Sequence, residues 1–135
     1  MTAAPQVSPR MMIVDDEPLI RQVLRRLLER QGATVCAEAA DGREAVRVAA
    51  LAKPDIILMD LRMPGLDGLQ ATKQIIALLP GVSVIMTTAY TDQAFRDEAE
   101  AAGVTAYVVK GTRPSVLKEA IDAAWSEQQA RLSAA

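Results

Sequence analysis

The sequence predicts an α/β fold in which five parallel strands form a doubly wound sheet with helices on both faces. First, short apolar runs, mostly aliphatic or β-branched, are each followed by a helical pattern, which is typical of parallel strands buried on both faces. Second, strand and helix alternate five times, which favours right-handed crossovers. Third, four runs stop at a polar residue: 11–14 before Asp15, 56–59 before Asp60, 82–86 before Thr87 and 106–109 before Lys110.

The first strand is predicted over about 10–15. Residues 1–9 contain two prolines and small polar residues, and we expect them to form a disordered lead-in. Pro18 lies in the first turn of the next helix, where a missing N–H costs nothing, and Gly32 ends that helix. The apolar residues of this helix form one stripe that we expect to be buried: Ile20, Val23, Leu24, Leu27 and Leu28.

The second and third strands are predicted over about 34–39 and 55–60. The helix after each one begins with the spacing of a capping box. In this motif two residues three apart each accept, through the side chain, a hydrogen bond from the backbone N–H of the other. These boxes are Asp-Gly-Arg-Glu at 41–44 and Asp-Gly-Leu-Gln at 67–70. We therefore expect both helices to begin at these aspartates.

The fourth strand is predicted over about 82–87, with a helix near 91–102, and the fifth strand over about 105–109. The last helix is predicted from Pro114 to about Ala130, which leaves 131–135 as a short C-terminal tail. The residues expected on its buried face are Val116, Leu117, Ala120, Ile121, Ala124 and Trp125.

Length and composition describe one domain, over residues 10–130. The chain has 135 residues, of which 50% are hydrophobic and 24% charged, and its net charge is −2. This charge gives no basic footprint for direct nucleic acid binding, and no apolar stretch approaches the ~20 residues of a membrane span. The single Cys36 and the lack of a signal peptide pattern favour a cytoplasmic location.

Histidine is absent from the chain. Its absence excludes hydrolases with a Ser-His-Asp or Cys-His arrangement, zinc sites with histidine ligands, and a phosphohistidine carrier within this chain. The polar groups at the predicted strand ends are instead carboxylates, a hydroxyl and an ammonium. This set suits a divalent cation and a phosphoryl group.

Three carboxylates follow two of the predicted strands. Ligands of open α/β sheets bind at the carboxyl ends of the strands, where Asp15, Asp16 and Asp60 should converge. Three acids in one crevice repel one another unless a cation lies among them, and oxygen ligands favour Mg²⁺ or Mn²⁺ over zinc. The alternative is that the acids complement the dipole of the next helix, an interpretation that we prefer only for Glu17.

Asp60, Thr88 and Lys110 are candidates for binding a phosphoryl group. Asp60 could be a third metal ligand or a nucleophile toward phosphorus, and Lys110 could neutralise phosphate oxygens. Alone, Lys110 would be an ordinary solvated residue, and Thr88 has an explanation in the β propensity of threonine. Their joint placement at the strand ends favours the phosphoryl site.

Four motifs resemble the receiver domain of bacterial two-component response regulators, the CheY-like superfamily. They are Ile13–Glu17, Leu58–Gly68, Thr88-Ala89 and Ala106–Lys110, within a resemblance over about 10–127. The resemblance implies a flavodoxin-like, three-layer fold with strand order 2-1-3-4-5. It also implies a signalling protein rather than an enzyme, phosphorylated by a sensor histidine kinase or a phosphotransfer protein and controlling a downstream protein or output domain.

The resemblance assigns the acceptor and the metal ligands. Asp60 corresponds to the phosphoacceptor of the family. Asp15 and Asp16 correspond to residues that hold Mg²⁺, with Asp60 and the backbone carbonyl of Arg62 as further ligands.

The resemblance also assigns a switch. Thr88 moves toward the phosphoryl group, Lys110 pairs with that group, and the ring of Tyr107 turns inward when Thr88 moves. The face around Tyr107 is expected to change its partner on activation, including a possible homodimer. Arg62 and Tyr90 flank the route of the attacking water, so we expect these large side chains to slow dephosphorylation.

The chain departs from the family after the lysine. The family usually has proline there, often behind a cis bond, whereas this chain has Gly111. We expect a trans bond because a non-proline cis bond costs ~3–4 kcal/mol. Pro114 and Leu117 are placed as in receivers joined to a helix-turn-helix domain, so the chain is either a stand-alone receiver or part of a longer regulator.

Two other functions fit the sequence less well. An aspartyl-phosphate phosphotransferase or phosphatase would commonly have a second Asp two residues after the nucleophile, where Arg62 stands. A flavin-binding electron carrier would need a Ser/Thr/Gly-rich phosphate loop after the first strand, where Asp15 and Asp16 would repel phosphate. The low aromatic content also disfavours flavin stacking.

Overall fold

A five-stranded parallel sheet in the order β2-β1-β3-β4-β5 forms the centre of the computed structural model, which describes residues 8–89 and 93–134. The predicted fold class and strand order are therefore confirmed. The strands are β1 (Arg10–Val14), β2 (Thr34–Ala39), β3 (Ile56–Asp60), β4 (Ser83–Thr88) and β5 (Ala106–Val109).

Helices cover both faces of the sheet and make the fold three-layered. Apolar residues of the first and last helices pack on one face, and those of the other three pack on the opposite face. The helices are α1 (Pro18–Arg30), α2 (Gly42–Ala52), α3 (Gly68–Leu78), α4 (Gln93–Ala101) and α5 (Pro114–Ala134).

The interiors of the central strands are apolar because these strands are buried on both faces. Along β1, Met12 and Val14 pack toward α2 and α3, whereas Met11 and Ile13 pack toward α1 and α5. All four side chains are at most 1% exposed. Any polar residue in these strands is therefore placed at their ends, where the sheet meets solvent.

The predicted caps hold the two helices that follow the second and third strands. Asp67 accepts a hydrogen bond from the backbone N–H of Gln70 at 2.9 Å, and the Gln70 side chain accepts from the Asp67 N–H at 3.2 Å, which completes the capping box. Asp41 accepts from the N–H of Glu44 at 2.8 Å. These caps position the loops beside the carboxyl edge of the sheet.

The last helix is longer than predicted, since it continues to Ala134 rather than ending near Ala130. Within this helix, the buried amide nitrogen of Gln128 donates to the Asp55 carbonyl and to Ser83 Oγ, both at 2.6 Å. These bonds fasten the end of α5 to the loops before β3 and β4. Residues 131–134 of the predicted tail belong to the helix.

Two apolar residues predicted to be buried are not. Val23 is 56% exposed and Val116 is 37% exposed. Each lies one residue before a leucine that contacts the sheet, Leu24 and Leu117, and one residue is about 100° around a helix. The buried stripes of α1 and α5 are therefore narrower than predicted.

The predicted lead-in is described only at 8–9. Pro9 is buried, and its carbonyl accepts the N–H of Thr34 at 3.3 Å, so this end of the predicted lead-in belongs to the fold. Residues 1–7 and Tyr90 lie outside the described residues, and the predictions made for them stay predictions. Within the described ranges, no helix has the length and apolar character needed to cross a bilayer.

Candidate functional site

Three carboxylates meet at the carboxyl edge of the sheet. Val14 and Met59 are partners in the pairing of β1 with β3, so Asp15 and Asp60, the residues after them, leave the sheet side by side. One oxygen from each of Asp15, Asp16 and Asp60 lies within 4.8 Å of the others. Asp15 is 1% exposed and Asp60 is 5% exposed, whereas Asp16 faces solvent. The cluster thus consists of two buried carboxylates and a third, that of Asp16, which is accessible to solvent.

Lys110 lies between the two buried carboxylates. Its Nζ is 3.0 Å from Asp15 Oδ2 and 3.1 Å from Asp60 Oδ1. The Lys110 backbone N–H also donates to the carbonyl of Thr88 at 2.7 Å, which fixes the end of β5 to the end of β4. The structure therefore brings Lys110 to the acids, as the sequence predicted.

The cluster has too little positive charge for its acids. Burial is the main reason that the pKa of Asp60 is raised from 3.8 to about 6; the Lys110 hydrogen bond opposes this rise, and the charges of Asp15 and Asp16 add to it. Burial alone would lower the pKa of Lys110, but its bonds to the two carboxylates outweigh burial and raise it above 10.5. Lys110 is therefore a cation at neutral pH, facing three acids.

Thr88 and Tyr107 lie on the same face of neighbouring strands. Tyr107 pairs with Met86, and residues two apart in a strand share a face, so Tyr107 is a diagonal neighbour of Thr88. Thr88 is 1% exposed, whereas Tyr107 is half-buried with the guanidinium of Arg96 5.3 Å from its ring centre. The strand register thus gives the two residues the proximity that coupling requires.

The family model for the response regulator receiver domain matches residues 11–122. The chain belongs to this family. Receivers of two-component systems are typically signal transducers rather than enzymes, and phosphorylation on aspartate and Mg²⁺ binding at an acidic pocket are their standard features.

Several known proteins are similar to this receiver. The chemotaxis protein CheY of Thermotoga maritima is 38% identical over 113 residues, which cover 84% of this chain and 94% of CheY. The transcriptional regulatory protein PdtaR of Mycobacterium tuberculosis is 39% identical over 120 residues, 89% of this chain and 58% of PdtaR. A LuxR-family response regulator from Aurantimonas sp. SI85-9A1 superimposes with a TM-score of 0.83 at 41% identity, covering 86% of this chain and 84% of that one.

The relatives differ in length. This receiver spans nearly all of CheY but only 53% of the uncharacterized transcriptional regulatory protein YxjL of Bacillus subtilis. Relatives of the second kind contain further chain beyond the region that matches.

The acidic cluster of the receiver fits Mg²⁺. Its donors are carboxylate oxygens, which hard divalent cations prefer, and the described residues include no metal-ligand cluster containing cysteine. The raised pKa of Asp60 shows that its buried charge is only partly compensated by Lys110. A divalent cation would supply the missing charge, and Mn²⁺ satisfies the same donors.

When a chelator keeps the site free of metal, the free energy of unfolding of the receiver is expected to depend on pH through Asp60. Its pKa is higher in the folded state than the unfolded value of 3.8, so the folded state binds the proton more tightly. The free energy of unfolding should therefore fall by up to about 3 kcal/mol from about pH 4 to about pH 7. Urea unfolding of the wild type and of Asp60→Asn isolates this contribution; equal pH dependence in the two proteins would contradict it.

Arg62 contacts the fourth helix. Its side chain is exposed, and the guanidinium lies 5.4 Å from the ring centre of Phe95 in α4, a geometry suited to a cation–π contact. This contact links the loop after Asp60 to the helix beside Tyr107. It is a long-range contact that the sequence did not predict.

The residue after Lys110 has a physical reason to be glycine. No peptide bond in the described part of the chain is cis, so the bond between Lys110 and Gly111 is trans, as predicted. Gly111 has φ +87°, in the region that side chains disfavour, and a proline ring would hold φ near −65°. The usual proline would therefore not fit this conformation.

Arg21 and Glu38 also belong to the site, although the sequence analysis did not identify them. The Arg21 guanidinium donates to the Asp15 carbonyl at 2.7 Å and to Glu38 Oε1 at 3.2 Å. Their positions on α1 and β2 follow no short motif. The signal that could have suggested this contact is the position of Arg21 next to the apolar stripe of α1, which places its side chain near the edge of the sheet.

Proposed function

We propose that this receiver accepts a phosphoryl group on Asp60 from a sensor histidine kinase or a phosphotransfer protein. The observation that carries the proposal is the bridge from Lys110 Nζ to Asp60 at 3.1 Å and to Asp15 at 3.0 Å, beside Asp16. In this proposal Asp15, Asp16, Asp60 and the carbonyl of Arg62 hold Mg²⁺, or Mn²⁺ in its place. Such phosphotransfer would take place in the cytoplasm.

Asp60 acts as the nucleophile in this proposal. A carboxylate oxygen forms a bond to phosphorus as the bond from phosphorus to the donor's imidazole nitrogen breaks, and the imidazole leaves. Lys110 neutralises an oxygen of the transferred group. The cation, when bound, supplies charge that keeps Asp60 ionised and balances the phosphate oxygens. Water later cleaves the acyl phosphate, which restores the carboxylate and releases inorganic phosphate, so the receiver acts on no separate substrate.

The phosphoryl group adds a charge of about −1.5 to −2 at the strand ends. A charge acts at a distance only through an element with two states, and we propose that Thr88 and Tyr107 form that element. Thr88 turns its hydroxyl toward the phosphoryl group, and Tyr107 moves inward into the space that Thr88 leaves. The face formed by α4, β5 and α5 then binds a downstream protein, an output domain or a second copy of the chain.

The switch can be tested with a stable phosphate mimic. Beryllofluoride with Mg²⁺ should alter amide exchange in residues 93–125, and sedimentation should show whether self-association follows. Asp60→Asn provides the control because it removes the acceptor oxygen. Unchanged exchange and unchanged sedimentation, with beryllofluoride bound at Asp60, would contradict the switch.

Arg62 and Tyr90 are proposed to lengthen the life of the phosphoryl group. They lie two residues after Asp60 and Thr88, respectively, and large side chains there would obstruct attacking water. The double variant Arg62→Ala, Tyr90→Ala should therefore lose phosphate several-fold faster, as followed by the decay of the phosphorylated mass. Equal or slower decay would refute the shielding role, and the exposed Arg43→Ala serves as a surface control.

A further inference from the structure

A chain of charged side chains leads from α1 to the backbone carbonyl of Asp15, at the acidic cluster. Arg21 donates to the backbone carbonyl of Asp15 and to one oxygen of Glu38, on β2. The other Glu38 oxygen accepts from Arg25 Nε at 2.8 Å and lies 2.6 Å from Arg25 Nη2. The Arg21 side chain is 19% exposed and that of Glu38 is 29% exposed. The network is therefore partly protected from water.

The network completes the fixation of Asp15. The Glu17 N–H donates to Asp15 Oδ1 at 2.9 Å, and Lys110 Nζ binds Oδ2 at 3.0 Å. Arg21 holds the third oxygen of the residue, its carbonyl. Of these three bonds, only the one from Arg21 restrains the backbone between Asp15 and Asp16 directly.

We propose that Arg21 is a positioning residue that sets the geometry of the Asp15 and Asp16 carboxylates for the divalent cation. This inference rests on the proposed metal site and goes beyond it, because Arg21 contacts neither the cation nor the phosphoryl group. The guanidinium is a rigid planar fork, and Glu38 holds it in one orientation while it bonds the carbonyl. Groups that orient metal ligands typically change metal affinity by roughly 10–100-fold.

A simple electrostatic role predicts the opposite effect. Arg21 is a positive charge near a cation site, so its removal by itself should tighten cation binding. A positioning role predicts weaker binding, since the backbone that carries Asp15 and Asp16 would lose the restraint of the Arg21 bond. The sign of the change in affinity therefore separates the two roles.

The test uses Mn²⁺ and the full chain, with free Mn²⁺ measured by its electron paramagnetic resonance signal. Arg21→Gln should raise the dissociation constant for Mn²⁺ about tenfold. Arg25→Gln is the matched control. Like Arg21→Gln, it removes one positive charge from α1 and one bonding partner from Glu38, but Arg25 makes no bond to Asp15. Its dissociation constant should stay within about threefold of the wild type or become tighter.

A second readout separates positioning from general damage. The Mg²⁺ concentration for half-maximal phosphorylation by acetyl phosphate should rise in Arg21→Gln, while the rate at saturating Mg²⁺ stays near the wild-type rate. If circular dichroism shows that Arg21→Gln does not fold, Arg21→Lys, which keeps the charge and loses the fork, takes its place.

The outcomes distinguish this inference from the proposed function. Failure of the wild type to bind Mn²⁺ would contradict the metal site itself. Binding by the wild type with unchanged or tighter affinity in the folded Arg21 variant would overturn only the positioning role. An equal loss of affinity in Arg25→Gln would also overturn it, because the bond to the Asp15 carbonyl would then not be responsible.

Discussion

Replacing Asp60 with Asn is expected to abolish phosphorylation by acetyl phosphate, because an amide cannot form the acyl phosphate. The fold should persist: Asn has nearly the same shape, and Lys110 keeps its 3.0 Å bond to Asp15. Intact-mass measurement after incubation with acetyl phosphate and Mg²⁺ checks the loss.

Asp122→Asn is a suitable control for this variant. Asp122 also pairs with a lysine, Lys118 at 2.7 Å, but it is exposed on α5 far along the chain from the acidic cluster. The Asp122→Asn protein should be phosphorylated to the same extent as the wild type. A phosphoryl adduct of normal yield in Asp60→Asn would show that another residue is the acceptor.

The substitution Gly68→Ala should produce a large loss of stability. A methyl group on Gly68 would collide with the backbone carbonyl of Asp60 and would lie 3.0 Å from the Leu61 Cα. Backbone atoms cannot turn aside as a flexible side chain can, and the Gly68 N–H already donates to the Leu61 carbonyl at 2.9 Å. We expect a loss of about 3 kcal/mol or more and a displaced Asp60.

Urea unfolding measures the cost, and Gly81→Ala provides the comparison. Gly81 has no atom within 4 Å of the added methyl group and no positive φ, so that substitution should be nearly neutral. A Gly68→Ala protein as stable as Gly81→Ala would contradict the close approach of α3 to the end of β3. If it folds, weakened Mn²⁺ binding would show that Asp60 has moved.

Local patterns were sufficient to predict much of the fold and the residues at the strand ends. The apolar runs before Asp15 and Asp60 required strands buried on both faces, and parallel strands deliver their carboxyl ends to one edge. The capping box at Asp67 involves residues three apart, so its spacing is visible in the sequence. Lys110 was recognised because it follows a strand in the same way.

Contacts between distant residues were not predictable in the same way. Arg21 and Glu38 are 17 residues apart, and Gln128 bonds the carbonyl of Asp55 across 73 residues. Such bonds depend on the packing of whole elements, and a glutamine within a helix resembles any solvated residue in sequence. The prediction that Val23 is buried was wrong for the same reason, since the width of a buried stripe depends on what packs against the helix.

The position of the phosphoryl adduct in the wild-type chain tests the central claim most directly. The protein is incubated with acetyl phosphate and Mg²⁺ and reduced with borohydride, which converts an aspartyl phosphate to homoserine and releases phosphate. It is then digested, and the position of homoserine is found by mass spectrometry. Our account predicts one modified residue, Asp60, and suppression of the modification when a chelator removes the cation. Modification at another aspartate, or at Asp60 with full yield in chelator, would contradict it.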